Sequence, residues 1–258
     1  MRNDIRIAFV LSKKFFKQKF AGTTIGVVWA LVMPSILLAV YTFVYGRVFL
    51  AKWVSESAVD NYSLNMYVGL TIFLFCAEVF NSSTVLIEQN ASLVKKSPIN
   101  INIFPAALVL ASFYSFAISN IPFIIAYAFV VGIPPITSVM YFPLMIVYMA
   151  FLTGCSFVIS SIAPYFKDLK QMMALFTTVL MFFSPIFFNQ SQLPKAIQEP
   201  LNFVNPLAFF IQTERALIFD NKLPMFQPTI IFVLCSGLVW FVGIKMFRFL
   251  KTGFADVI

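Results

Sequence analysis

The stretch IGVVWALVMPSILLAVYTFVY, residues 25–45, carries no charged side chain from end to end, and its only helix-disfavouring residue is Pro34. At 1.5 Å per residue a helix of that length reaches about 30 Å, the thickness of a bilayer's hydrocarbon core. Five further apolar runs follow it: Leu64–Leu86, Phe104–Val131, Tyr141–Ala163, Met172–Phe188 and Thr229–Phe247, each bounded by Pro, Asn or charged residues. The fifth is the shortest. The 258 residues are 60% hydrophobic and only 11% charged, with 33 Phe among them, and this composition excludes an ordinary soluble domain, a disordered chain and a coiled coil. The mean hydropathy of +0.90 points the same way. At about 20 apolar residues per crossing plus loops, the length accommodates six spans in one membrane domain covering residues 1–258.

The 18 Lys and Arg sit almost entirely between the apolar runs, so the net charge of +8 describes membrane topology and no nucleic-acid face. With six spans, thirteen of them fall on the amino-terminal side: six before the first span, Lys95 and Lys96, Lys167 and Lys170, and three from Lys245 onward. The other side holds Arg47, Lys52, Lys195, Arg215 and Lys222. By the positive-inside rule both termini are expected to be cytoplasmic. The first span reads as retained, because its basic leader is longer than a signal-peptide n-region and no small-x-small cleavage site follows it.

Three segments outside the spans have readable character. Residues 2–20 predict an amphipathic helix in the interface, with Ile5, Ala8, Phe9, Phe15, Phe16 and Phe20 on one arc and Arg6, Lys13, Lys14 and Lys17 on another. Anchoring by snorkelling lysines and docking of a partner both fit that pattern. The connection Ile87–Asn102 predicts a compact polar knob, with Glu88, Lys95 and Lys96, that stops at Ser97-Pro98. The outer stretch Asn189–Pro228 is unusually apolar for a loop. Its Asn205-Pro206 is a helix start, and a helix from Pro206 to Phe219 spans about 21 Å, too short to cross. A re-entrant helix is the expectation; a seventh span would have to carry Glu214, Arg215 and Asp220 in or beside it.

Little in the chain carries covalent chemistry. It has no His, its three cysteines (Cys76, Cys155, Cys235) lie in apolar segments without paired spacing, and no Gly precedes a Lys, so zinc sites and the usual phosphate loop are excluded. Glu78 is the one acid inside an expected span, and either a functional role or a hydrogen bond within the bundle suits it. Aromatic side chains are abundant: Tyr41 and Tyr45 are spaced i, i+4, and Phe176, Phe183 and Phe187 are spaced i, i+7, i+11, each set on one helical face. Such faces suit the C–H surfaces of a sugar polymer sliding through a pore; lipid contact and the interfacial aromatic belt are the competing reading. Gly22 and Gly26 form a small-x-x-x-small pair of the kind that supports helix dimers.

Several motifs in order give a family likeness over nearly the whole chain. The run Lys19-Phe20-Ala21-Gly22-Thr23-Thr24-Ile25-Gly26-Val27-Val28-Trp29, then Pro34 and Tyr41-Thr42-Phe43-Val44-Tyr45-Gly46, resembles the first-span region of the permease subunits of type-two ATP-binding-cassette exporters. The branch is the one that exports O-antigen, capsule and teichoic-acid polymers. There the pattern reads Arg-Tyr-x-x-Ser-x-Leu-Gly-x-x-Trp with a later Asn-Pro; here Lys19-Phe20 replaces Arg-Tyr, Thr23 replaces Ser and Met33 precedes the proline. Leu93-Val94-Lys95-Lys96 with Ile103-Phe104-Pro105, Ser184-Pro185-Ile186-Phe187-Phe188, and Asn205-Pro206 with Arg215 continue the likeness.

The resemblance implies an all-α membrane protein with six transmembrane helices, an amino-terminal interface helix (residues 1–24) and a pair of short re-entrant gate helices between spans five and six. It makes the knob at Glu88, Lys95 and Lys96 a coupling helix for the ATPase, and Asn205, Pro206, Glu214 and Arg215 part of an external gate. It implies a dimer of this chain with two copies of a separate ATPase, which would hold ATP and Mg; no cofactor is expected on this chain. The implied cargo is a lipid-linked polysaccharide, with Lys13, Lys14, Lys17 and Lys19 near its pyrophosphate headgroup and Tyr41, Tyr45, Phe176, Phe183 and Phe187 lining the channel. The implied setting is a bacterial inner membrane and lipopolysaccharide biosynthesis. A drug or small-lipid exporter of the same architecture is the second reading, and a secondary carrier or membrane transferase a distant third.

Overall fold

A computed structural model of the chain describes residues 2–48, 61–96, 100–190, 193–194 and 205–254. Among them there is no β-strand. Ten α-helices occur in order: α1 Arg2–Lys19, α2 Trp29–Phe43, α3 Tyr62–Ser83, α4 Leu86–Gln89, α5 Ala91–Lys96, α6 Phe104–Val130, α7 Tyr141–Ile162, α8 Leu169–Phe182, α9 Pro206–Ile218 and α10 Phe226–Leu250. Five segments are long and apolar enough to cross a membrane: Gly26–Phe43, Tyr62–Ser83, Ile101–Val130, Ile136–Ile162 and Phe226–Gly253. This is an all-α membrane protein.

The helix α3 is the axis around which the others pack. It is apolar on every side and 16 of its 22 residues are buried, as expected of a helix enclosed by others. Its start is fixed by Asn61, whose side chain accepts from the Leu64 amide at 3.2 Å. Its few polar groups are satisfied locally or across a helix interface: Ser83 Oγ donates to the Val79 carbonyl and meets Ser156 Oγ at 2.7 Å, and Tyr67 donates to the Ser119 carbonyl at 2.7 Å. The helices α2 and α8 are the opposite case. Ala30 and Pro34 are the buried residues of α2, and Thr177 that of α8, so both present open apolar faces.

The expected fifth span, Met172–Phe188, is displaced. Its helix starts at Leu169, three residues early, and ends at Phe182, because Ser184-Pro185 cannot continue it. At 14 residues α8 is short. It nevertheless joins the two ends of the bundle: the chain just before it is tied to the carboxyl-terminal end by Tyr165 Oη on the Leu250 carbonyl. The turn after it touches the start of α3 through Tyr62 Oη on the Phe187 carbonyl. The expected second span also ends early, at Ser83, with α4 beginning separately at Leu86.

The amino-terminal helix lies against α6, and its buried side is Leu11, Ser12 and Phe15. Of the apolar arc, Phe15 is buried against the bundle together with Leu11, while Ile5 and Phe9 are 56% and 49% exposed. Phe15 meets Phe104 edge-on, Phe16 meets Tyr114, and Ser12 Oγ lies 3.2 Å from Tyr114 Oη. Gly22 and Gly26 are likewise not a helix-packing pair. Both have positive φ, +82° and +56°, with open space around them, and they shape the turn between α1 and the first span.

The close helix crossing lies elsewhere, between α7 and α10, where Gly154 faces Gly243. A Cβ on Gly243 would come within 2.5 Å of the Gly154 carbonyl oxygen, whereas one on Gly237 of the same helix would touch nothing. Gly243→Ala is therefore expected to cost about 1–3 kcal/mol by overpacking. Gly237→Ala should be neutral or stabilising by up to about 1 kcal/mol, because it removes a helix-interior glycine. Melting of the two purified variants in mild detergent checks this, and equal melting temperatures would contradict it.

Candidate functional site

Breaking α8 at Ser184-Pro185 frees backbone carbonyls beside the buried residues Ser184, Pro185 and Ile186, and each needs a donor. The structure supplies three donor side chains from distant parts of the chain. Asn205 Nδ2 donates to the Phe183 carbonyl at 3.1 Å and to Ser184 Oγ at 2.9 Å. Arg215 donates from Nη1 to the Pro185 carbonyl at 2.5 Å, from Nη2 to the Ile186 carbonyl at 2.9 Å, and from Nε to the Asn65 carbonyl of α3 at 2.9 Å. Tyr62 takes the Phe187 carbonyl. The planar guanidinium fork serves three acceptors that a lysine could not.

Asn205 also performs the role its sequence context predicts. Its Oδ1 accepts from the amides of Leu207 and Ala208, with Pro206 at the first helical position, so one side chain starts α9 and caps the end of α8. The other end of α9 is bound at the same end of the bundle: Tyr127 donates to the Ile218 carbonyl at 3.0 Å and Thr137 to the Leu217 carbonyl at 2.8 Å. α9 therefore begins and ends at the same end of the bundle, and at 13 residues it is too short to cross; the second short helix expected in this region lies outside the described residues. Glu214 is 2% exposed, and its Oε1 has no hydrogen-bond partner. Burial pushes its carboxyl well above the usual carboxylate range, Arg215 pulling the other way. The sequence placed Asn205, Pro206, Glu214 and Arg215 together; Arg215's role as a triple cap had no sequence signal.

Beside the break stands an aromatic cluster. Tyr45 stacks on Tyr62 with centroids 5.1 Å apart and on Phe187 at 6.4 Å, and Tyr41 meets Phe187 at 6.3 Å. Of the five aromatic residues singled out from spacing, Tyr41, Tyr45 and Phe187 are thus brought together. Phe176 stacks instead on Phe80, and Phe183 stands 65% exposed on the open face at the end of α8. Tyr62 completes the cluster and was missed by the sequence reading, where it falls just outside the expected span Leu64–Leu86.

At the opposite end, the knob is made of α4 and α5. Leu86 and Ile87 plug into an apolar cluster with Leu11, Phe15, Phe104 and Phe247, while Glu88, Gln89 and Lys95 are exposed. Lys96 closes α5, but its side chain and Ser97-Pro98 lie outside the described residues. Of the interface-helix lysines, Lys13, Lys14 and Lys17 are exposed and share a basic surface with Val10 and Gln18. Lys19 turns inward. Its Nζ reaches Glu78 Oε2 at 2.5 Å and Ser115 Oγ at 3.2 Å, and Ser115 Oγ donates to Glu78 Oε1 at 3.4 Å. The intramembrane acid is thus paired with the end of the interface helix.

An interface helix and an exposed knob at one end, and a capped break with a re-entrant helix at the other, define a multi-pass membrane subunit of the transporter type. Residues 7–219 match the family model described as "ABC-2 type transporter", and the chain belongs to that family. It is similar to two O-antigen export system permease proteins RfbA of Klebsiella pneumoniae. One is 25% identical over 251 residues, covering 96% of this chain and 93% of the relative; the other is 24% identical over 252 residues with the same coverage. A protein of the same name from Myxococcus xanthus is 20% identical over 250 residues, 96% of this chain and 94% of the relative.

Replacing Arg215 by Lys leaves at least two of its three carbonyl acceptors unserved, and is expected to cost about 2–4 kcal/mol. Asn205→Ala, which removes a cap and a bond to the broken end of α8, should cost about 1–2 kcal/mol. Thermal unfolding in detergent measures both, and an Arg215→Lys curve superimposing on the parent's would remove the capping role.

Proposed function

We propose that this chain is the permease subunit of an ATP-driven exporter that moves a lipid-linked polysaccharide, of the O-antigen class, across the bacterial inner membrane. The observation that carries this reading is the match, along almost the full length of both chains, to O-antigen export permeases. The geometry supports it from both ends. An exposed polar knob seated on an apolar plug is the form a lever needs: force on α4 and α5 passes through Leu86 and Ile87 into α1 and α6. ATP and Mg would be held by two copies of a separate ATPase subunit, and two copies of this chain, with cytoplasmic termini, would form the conduit.

In this reading the open apolar faces of α2 and α8 meet across the dimer, and the polymer passes between them. Tyr41, Tyr45 and Phe187 stand where it would leave, offering ring faces to the C–H surfaces of successive sugars without binding any of them fixedly. Phe183, on the open face of α8, would touch it on the way. The basic surface of Lys13, Lys14 and Lys17 would attract the anionic headgroup of the lipid carrier.

Export in a strain lacking its own O-antigen permease, supplied with this chain and its ATPase, tests the reading. Glu88→Arg alters only an exposed knob residue and should lower export at least about tenfold with membrane levels unchanged. Phe183→Ala, at an exposed position, should slow polymer export several-fold without changing the melting temperature. Full export by this chain with no ATPase present would overturn the proposal, and normal export by Phe183→Ala would remove the aromatic conduit from it.

A further inference from the structure

The pairing of Lys19 with Glu78 sits in a place that structural need alone does not explain. A cleft of about 660 Å³ opens between the end of α1, the first span, α3 and α6, and its polar floor holds both charges. A second cavity of about 280 Å³ lies on the other side, toward the knob, and the same two residues wall it. The pair is therefore a partition between two spaces. Neither side chain is fully enclosed: Lys19 is 42% and Glu78 23% exposed. In the second cavity Ser112 Oγ, on a residue only 1% exposed, has no hydrogen-bond partner.

The pair lies near one end of α3: Glu78 is five residues, about 8 Å, from its last residue, and Lys19 closes α1. Beyond the charges the cleft is walled by Trp29, Met33, Leu37 and Leu74, and it is partly open to the outside. We propose that this cleft binds a phospholipid whose headgroup carries both a phosphate and a primary ammonium, with the phosphate on Lys19 and the ammonium on Glu78.

Charge complementarity selects that chemistry. The site offers one cation and one anion side by side, so a zwitterion exchanges one ion pair for two and leaves no charge unmatched. A pyrophosphate or a plain anionic headgroup would gain Lys19 but leave the Glu78 carboxylate facing a like charge in a partly buried site. A choline headgroup has no N–H to donate to Glu78. Ser115 Oγ, which lines the cleft and donates to Glu78 without the lipid, can turn to a phosphate oxygen once the headgroup parts the pair. The bound lipid would then bridge the interface helix to α3, where the direct ion pair does so without it. The site goes beyond the export reading, because it concerns a resident membrane lipid whatever the cargo is.

Native mass spectrometry of the full-length protein tests this, after exchange into mixed micelles with equal phosphatidylethanolamine, phosphatidylglycerol and phosphatidylcholine. Phosphatidylethanolamine should be retained about tenfold over either competitor, and Lys19→Gln and Glu78→Gln should each abolish that preference. The double variant Lys19→Glu with Glu78→Lys should restore it, since a zwitterion binds equally well reversed. That variant separates lost binding from lost folding. Equal retention of the ethanolamine and choline lipids would overturn the proposal. So would a preference for phosphatidylglycerol that survives Glu78→Gln, which marks an anion site. Because no ATPase or cargo is present, failure here leaves the export reading standing, and loss of export with the preference intact does the reverse.

Discussion

A polypeptide that stops being helical inside a membrane exposes carbonyl oxygens to a solvent that cannot hydrogen-bond them. In this protein the break after α8 is the point on which one end of the bundle depends, and its solution is to import donors from across the chain. The donors come from the start of α3 (Tyr62), the cap of α9 (Asn205) and its third turn (Arg215). The same bonds that satisfy the break therefore fix the re-entrant helix and register it against α3. A Cβ on Gly69 would come 2.7 Å from Arg215 Nη2, so the guanidinium needs even that glycine in order to lie flat against the helix.

The opposite end is organised differently, by an apolar joint and the Lys19–Glu78 ion pair. Leu86 and Ile87 lock the knob beneath α1, and Lys19 with Glu78 locks the end of α1 to α3. Packing contacts of this kind transmit displacement as rigid bodies, whereas an exposed ion pair is exchangeable. The two devices give the interface helix one fixed attachment and one that a charged ligand can replace.

Much of this architecture was legible in residue order. Apolar length located the crossing helices, and Asn205-Pro206 located α9 to the residue, because an N-cap followed by proline has almost no other use. Where the reading missed, long-range contacts had decided. Nothing local says that Lys19 abandons its basic neighbours for an acid 59 positions later, or that Arg215 spends its donors on carbonyls of the Ser184–Phe187 turn. Along α1, periodicity gives an apolar arc but cannot tell which of its residues pack on the bundle, as Phe15 does with the neighbouring Leu11, from those that stay exposed, as Phe9 does. The glycines that matter for packing, Gly154 and Gly243, are isolated in sequence and pair only through the fold, while the conspicuous Gly22 and Gly26 serve a turn.

That glycine contact divides the molecule mechanically. At Gly154 and Gly243 backbone lies against backbone with no side chain between, while Phe151 with Phe232 and Phe157 with Phe247 pack on either side, so sliding α7 along α10 would drive main-chain atoms together. They form a stator. Within one chain α2 and α8 commit the least surface to the bundle, so the faces through which a second copy would be felt belong to the helices least tied to the rigid pair.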